Sequence, residues 1–145
     1  MVTLEEFLFF CRMYISESDW GLTYDEDNAE MTYNQYMADP DSEIISIRKD
    51  NIMVAGAVVC VDRFAHKEPF GYLVKFYVLN SYRNGRISID LLNKCNDWFK
   101  EKETVADFAN AIGKIGNPDV AYRLLNKDGY NKKLRTLYRD NNGNF

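Results

Sequence analysis

The sequence has one histidine, His66, and three cysteines, Cys11, Cys60 and Cys95, none of them in a Cys-x-x-Cys pair. A structural zinc site draws on several Cys or His ligands at short spacing, so no metal centre is expected. Each cysteine stands among apolar residues, which predicts reduced core thiols and a reducing compartment. Proline is scarce, and no Pro-rich or Gly-rich linker divides the chain. No apolar run approaches the ~20 residues that cross a bilayer. The run Leu8-Phe9-Phe10 is too short for a signal peptide and follows acidic residues. Positive charge is also in short supply. There are 18 Lys and Arg against 22 Asp and Glu, a net charge of −4. Nucleic-acid binding usually needs a basic face, so nucleic acid is not an expected partner, and neither is a membrane. The acidic cluster Asp25-Glu26-Asp27-Asn28 lacks the alternating ligands, central glycine and closing Glu of a calcium loop. These absences leave a cytoplasmic protein without a metal as the expectation.

What is present is a chain of 145 residues, 46% apolar, with ten Tyr, nine Phe and two Trp. That is enough for one sizeable core, and residues 1–145 are read as a single domain. The spacing predicts a helix over 3–16, opened by the capping box Thr3 and Glu6, with Leu4, Phe7, Leu8, Cys11, Tyr14 and Ile15 on one face. Residues 17–42 are polar and acidic, with a second helix predicted over 28–37 and Met31, Gln35 and Tyr36 as its contacts. A strand over 43–47, a turn at Lys49-Asp50-Asn51 and a strand over 52–61 form a hairpin. Gly56 marks either a bulge or a close backbone approach. Residues 71–79 are a third strand, 87–100 an amphipathic helix and 104–109 a short buried strand. This is a βαβ unit with parallel strands. Gly113 to Gly116 reads as a turn. Asn117-Pro118 opens a further helix, and 130–139 reads as a last strand.

The stretch Tyr77-Val78-Leu79-Asn80-Ser81-Tyr82-Arg83-Asn84-Gly85-Arg86-Ile87-Ser88 runs from a strand through a basic turn into a helix. Unpaired N–H groups and the positive end of the helix dipole hold phosphates at such a place, and the two arginines add charge. The alternative is an ordinary tight turn with solvated arginines. His66 and Glu68 lie in the loop before the third strand, where a general base would have access to solvent.

The element order and two phrases resemble the GNAT N-acetyltransferases. Phe76-Tyr77-Val78-Leu79-Asn80-Ser81-Tyr82-Arg83 is similar to the lead-in of the family's acyl-CoA turn, with Asn80 in place of Pro. Arg86 and Ser88 stand where that turn has small residues, and Gly85 lies one residue early. The turn is therefore degenerate, and Arg86 either blocks a pyrophosphate or charges its site. Asn117, Ala121, Leu124, Lys127, Gly129 and Tyr130 fit the family's penultimate-helix phrase, with one extra residue after Asn117.

The resemblance implies a single-domain α/β fold of α+β type, with a central mixed sheet of six or seven strands flanked by four helices. It implies an N-acyltransferase moving an acetyl group from acetyl-CoA to a small-molecule or protein amine. Val78, Arg83, Asn84, Gly85, Arg86, Ile87, Ser88 and Asn117 would bind the cofactor. The family's tyrosine acid falls at Leu125, which cannot donate a proton, so Tyr122, one turn earlier, is the candidate catalytic residue. The family's Glu base falls at Tyr72. The chain also resembles compact GNAT-like proteins of bacteriophages. That leaves open a catalytically silent role in a host cytoplasm or virion, alone, as a homodimer or within a larger complex. A basic strip of Arg83, Arg86, Lys132, Lys133 and Arg135 would revive a nucleic-acid reading.

Overall fold

Ile52–Asp62, dense in valine and alanine, is the centre of the sheet because it is buried on both faces. In the computed structural model, which describes residues 1–18, 20–83, 85–109 and 118–130, the sheet has four strands in the order β1-β2-β3-β4. These are β1 (Ser42–Lys49), β2 (Ile52–Asp62), β3 (Phe70–Val78) and β4 (Ala106–Ala109). The first three are antiparallel neighbours, and β4 runs parallel to β3. Asp50 and Asn51 both take positive φ, 51° and 64°, as the mirror-image hairpin turn between β1 and β2 requires.

Four α-helices flank the sheet: α1 (Leu4–Glu17), α2 (Glu26–Ala38), α3 (Ile87–Glu101) and α4 (Pro118–Lys127). Phe7 and Phe10 of α1 pack with Met53, Val58 and Tyr77 on one face. On the other face Ile87, Leu91, Leu92, Cys95 and Phe99 of α3 meet Val54, Ala57, Val59, Leu73 and Val78, with Leu124 and Leu125 of α4 beside them. Thr3 and Glu6 close the capping box at α1. Asp25 caps α2, accepting from the Asn28 N–H at 2.8 Å.

The differences from expectation have local causes. The second helix starts earlier than 28, because the Asp25 side chain accepts from the Asn28 N–H and caps it there. Its contacts are Tyr33 and Tyr36, which pack on Phe7 at ring distances of 5.4 and 6.4 Å, whereas Met31 and Gln35 are exposed. Gly56 is a close approach, with the Met53 side chain lying over it. The bulges fall elsewhere, at Val54 against β1 and at Val74 against β2. Val105 is 60% exposed and Ala106 and Asp107 are open, so the strand over 104–109 is buried only in part, at Thr104, Phe108 and Ala109. The described residues hold four strands, against the six or seven that the resemblance implies. The expected turn at Gly113 to Gly116 and the strand residues beyond Tyr130 lie outside the described residues.

Candidate functional site

Between β2 and β3 the pairing slips by one residue. Lys75 faces Val58 and Leu73 faces Val59, which leaves Val74 as the extra residue. Such a bulge bends its strand and raises the local twist. On the opposite edge of β3, Phe70 to Leu73 pair with Ala106 to Ala109. Among the described residues no strand pairs with Val74 to Val78 on that edge. The Leu79 N–H donates to the Val54 carbonyl at 3.0 Å. Alternation along the strand therefore turns the amides of Phe76 and Val78 away from β2, toward the unpaired edge.

A cleft of about 1050 Å³ lies along this edge. It reaches from Asp25 and Tyr36 of the α2 region, past Lys75 and Tyr77, to Ser88 at the start of α3 and Leu125 on α4. No side chain among the described residues caps α3, unlike α1 and α2. Its first intrahelical bond runs from the Asp90 N–H to the Arg86 carbonyl at 2.9 Å. The N–H groups of Ile87, Ser88 and Ile89 precede that bond and have no intrahelical partner. Arg86 is turned outward: its side chain is 83% exposed and reaches Asp90 at 3.3 Å. A Cβ on Gly85 would meet only the Tyr82 carbonyl, at 4.0 Å.

Arg83 behaves differently from Arg86. Its side chain is only 24% exposed, its Nη2 donates to Glu17 at 2.6 Å, and its Nε donates to the Val78 carbonyl at 2.8 Å. The Tyr77 hydroxyl donates to the other oxygen of Glu17 at 2.6 Å. Burial, then the neighbouring Glu17 carboxylate, pushes the Tyr77 phenol up to about 12. Glu17 thus clamps the end of α1 to the end of β3 and neutralises Arg83.

The structure brings Val78, Arg83 and Ser88 to the cleft, with Ile87 buried beside them and Gly85 and Arg86 exposed at the turn. Asn84 and Asn117 lie outside the described residues, as do Lys132, Lys133 and Arg135. Tyr122 is exposed and is not among the cleft residues of α4, which are Ala121, Leu124 and Leu125. His66 stacks on Phe70 at 4.6 Å and approaches Asp62 at 3.9 Å, away from the cleft. Glu68 is exposed, and Tyr72 stacks on Phe108 at 5.2 Å. Sequence reasoning missed Tyr24 and Lys75 as cleft groups, and Glu17 as the partner that holds Arg83. Only Lys75 carried a signal, as a cation inside an otherwise apolar strand.

The fold is an α+β arrangement around a mixed sheet, in which, among the described residues, one edge of β3 is unpaired beside a helix start. Residues 10–112 match the acetyltransferase (GNAT) family, and the chain belongs to that family. A search of the curated proteins finds none that matches. Among solved structures it is similar to AAC(6′)-Iy in complex with the bisubstrate analogue CoA-S-monomethyl-acetylneamine, at 14% identity and a TM-score of 0.74, covering 94% of this chain and 90% of that one. A transcriptional regulator from Bacillus halodurans C-125 gives 14% identity and a TM-score of 0.79 over 96% and 95% of the two chains. An aminoglycoside acetyltransferase from an uncultured soil metagenomic sample, in complex with sisomicin, gives 15% identity and a TM-score of 0.71 over 94% and 88%. At these identities the likeness is one of fold.

Proposed function

We propose that the protein is an N-acetyltransferase that takes its acetyl group from acetyl-CoA and passes it to a small-molecule amine. The observation that carries this reading is the edge of β3, unpaired among the described residues, over a cleft that continues to a start of α3 that no described side chain caps. The residues fit the donor. The Phe76 and Val78 amides offer backbone hydrogen bonds to an extended amide-containing arm, as an added strand would receive. The N–H groups of Ile87 and Ser88 suit a pyrophosphate. Arg86 stands at the rim, where it adds charge without filling the cleft. The bisubstrate complex of a similar fold, which contains CoA, supports the same reading.

Acetyl-CoA supplies an activated thioester when bound. The chain's part is positioning: the β3 edge fixes the thioester and the walls of α1 and α2 hold the amine against it. Such orientation is worth several orders of magnitude in rate. Leu125 is a cleft residue without a proton to give, and Tyr122 faces elsewhere. Protonation of the leaving thiolate therefore falls to the cleft tyrosines or to water. A catalytically silent protein is the second reading, favoured by that same Leu125.

Titration calorimetry with acetyl-CoA tests the proposal. Binding is expected, weakened about tenfold by Arg86→Glu through the lost phosphate contact. Absence of heat at millimolar cofactor would sink it.

A further inference from the structure

We infer that the acceptor is a monoamine with an aromatic body and a carboxylate, the chemistry of an aromatic α-amino acid, and that polycationic amines are poor substrates. This rests on the proposed acetyl transfer and concerns the acceptor end of the same cleft.

The acidic composition of residues 17–42 suggests a cationic acceptor, but several of these carboxylates are engaged elsewhere and few face the cleft. Glu17 is paired with Arg83 at 2.6 Å, Glu26 with Arg12 at 3.4 Å and Asp41 with Arg63 at 3.0 Å. Asp39 accepts from Ser42 and from the Asp41 N–H. Asp25 is the one carboxylate among the described residues that line the cleft, and one of its oxygens caps α2. A polyamine or aminoglycoside carries several ammonium groups, and each needs an anion or a loss of charge when it leaves water.

Among the described residues, the cations that line the cleft are Arg83 and Lys75. Glu17 neutralises Arg83. Lys75 has no carboxylate within salt-bridge distance among the described residues. Its ammonium lies 4.8 Å over the Tyr14 ring and 3.4 Å from the Tyr14 hydroxyl. It stands one residue past the bulge, beside the unpaired edge. A carboxylate on the acceptor gives this ammonium its partner and brings an adjacent α-amine to the same edge. A second positive charge there would be repelled.

The rest of the wall suits an aromatic ring. Phe10, Tyr14, Trp20, Tyr24 and Tyr36 surround this end of the cleft. Aromatic pairs gain beyond the area they bury. Among the described residues the Tyr24 hydroxyl is buried and has no hydrogen-bond partner, and the Arg12 guanidinium lies 5.8 Å over its ring. In the transfer, the amine nitrogen bonds to the acetyl carbonyl carbon and the carbon–sulfur bond breaks. The nitrogen gives up one proton and the thiolate takes one, so the products are an N-acetyl amino acid and CoA.

The test is CoA release and product mass for the wild-type chain with acetyl-CoA, using phenylalanine, tyrosine, phenethylamine, spermidine and sisomicin as acceptors. The expected kcat/KM is at least about tenfold higher for the aromatic amino acids than for spermidine or sisomicin, with phenethylamine between. Lys75→Glu should lower the value for phenylalanine about tenfold and raise that for phenethylamine. Preference for spermidine or sisomicin, no turnover of the aromatic amines, or an unchanged phenylalanine-to-phenethylamine ratio in Lys75→Glu would overturn the inference. Acetyl-CoA titration, run alongside, separates the two levels. Failure there removes the transferase reading itself, whereas binding with the wrong acceptor order removes only this one.

Discussion

Glu17 shows what a single residue does here. Its two oxygens accept from Tyr77 and Arg83, at 2.6 Å each, joining parts of the chain some 60 residues apart. Replacing it with Gln leaves the half-buried Arg83 guanidinium without a compensating charge. We expect Glu17→Gln to cost about 1–3 kcal/mol in urea unfolding at neutral pH. Glu26→Gln breaks the more exposed pair with Arg12 and should cost at most ~1 kcal/mol. Equal losses in the two variants would remove the clamp from the account. Nothing local in the sequence signalled Glu17, because a polar contact across that separation leaves no periodicity. Arg83 and Arg86 illustrate the same limit. Both read as phosphate-turn cations, yet one is held by Glu17 while the other extends into solvent.

At the level of elements, amphipathic spacing was the reliable signal. The α3 face Ile87, Leu91, Leu92, Cys95 and Phe99 is buried as its spacing predicts. The Thr3–Glu6 capping box is present in full. The short parallel strand was legible in position but not in burial, because four residues give no usable alternation. Its seat depends on Gly71 in β3. A Cβ there would lie 2.7 Å from the Phe99 ring, and would also collide with the Asp107 carboxylate. Phe99 is 1% exposed and has nowhere to move. Gly71→Ala is therefore expected to destabilise by about 1–3 kcal/mol and to loosen β4, seen as faster amide exchange at Asp107 to Ala109. An Ala variant as stable as the wild type would contradict this packing. The bulge at Val74 left no mark in the sequence. Val is an ordinary strand residue, and the slip is set by pairing with β2.

For the whole molecule, stability should fall at both ends of the pH scale, for different reasons. The Arg48 guanidinium donates to Glu6 at 2.8 Å and holds its carboxyl down at about 2, below the ordinary 4.5. The folded state thus binds this proton less readily than the unfolded chain. The contribution is full above the ordinary value and is lost as pH falls toward about 2. At alkaline pH the sign is reversed. Burial pushes the Cys95 thiol up to about 12, and burial with Glu17 does the same for Tyr77. The unfolded chain loses these protons first, so stability declines between the ordinary values of 9.0 and 10.0 and about 12. Thermal midpoints measured across this range should trace a dome. Glu6→Gln should flatten its acid side, and an unchanged acid limb would contradict the assignment.

The family, and the order of elements among the described residues, were legible in the sequence, since they rest on spacing and on local phrases. The cleft was not, because its walls come from α1, α2 and β3 together. Amide hydrogen exchange reads, residue by residue, whether the β3 edge and the start of α3 receive acetyl-CoA. On adding acetyl-CoA, the amides of Phe76, Val78, Ile87 and Ser88 should slow together, while those of the β1–β2 hairpin stay as they were. Binding that leaves these four amides unchanged, or that protects a different surface, would contradict the account.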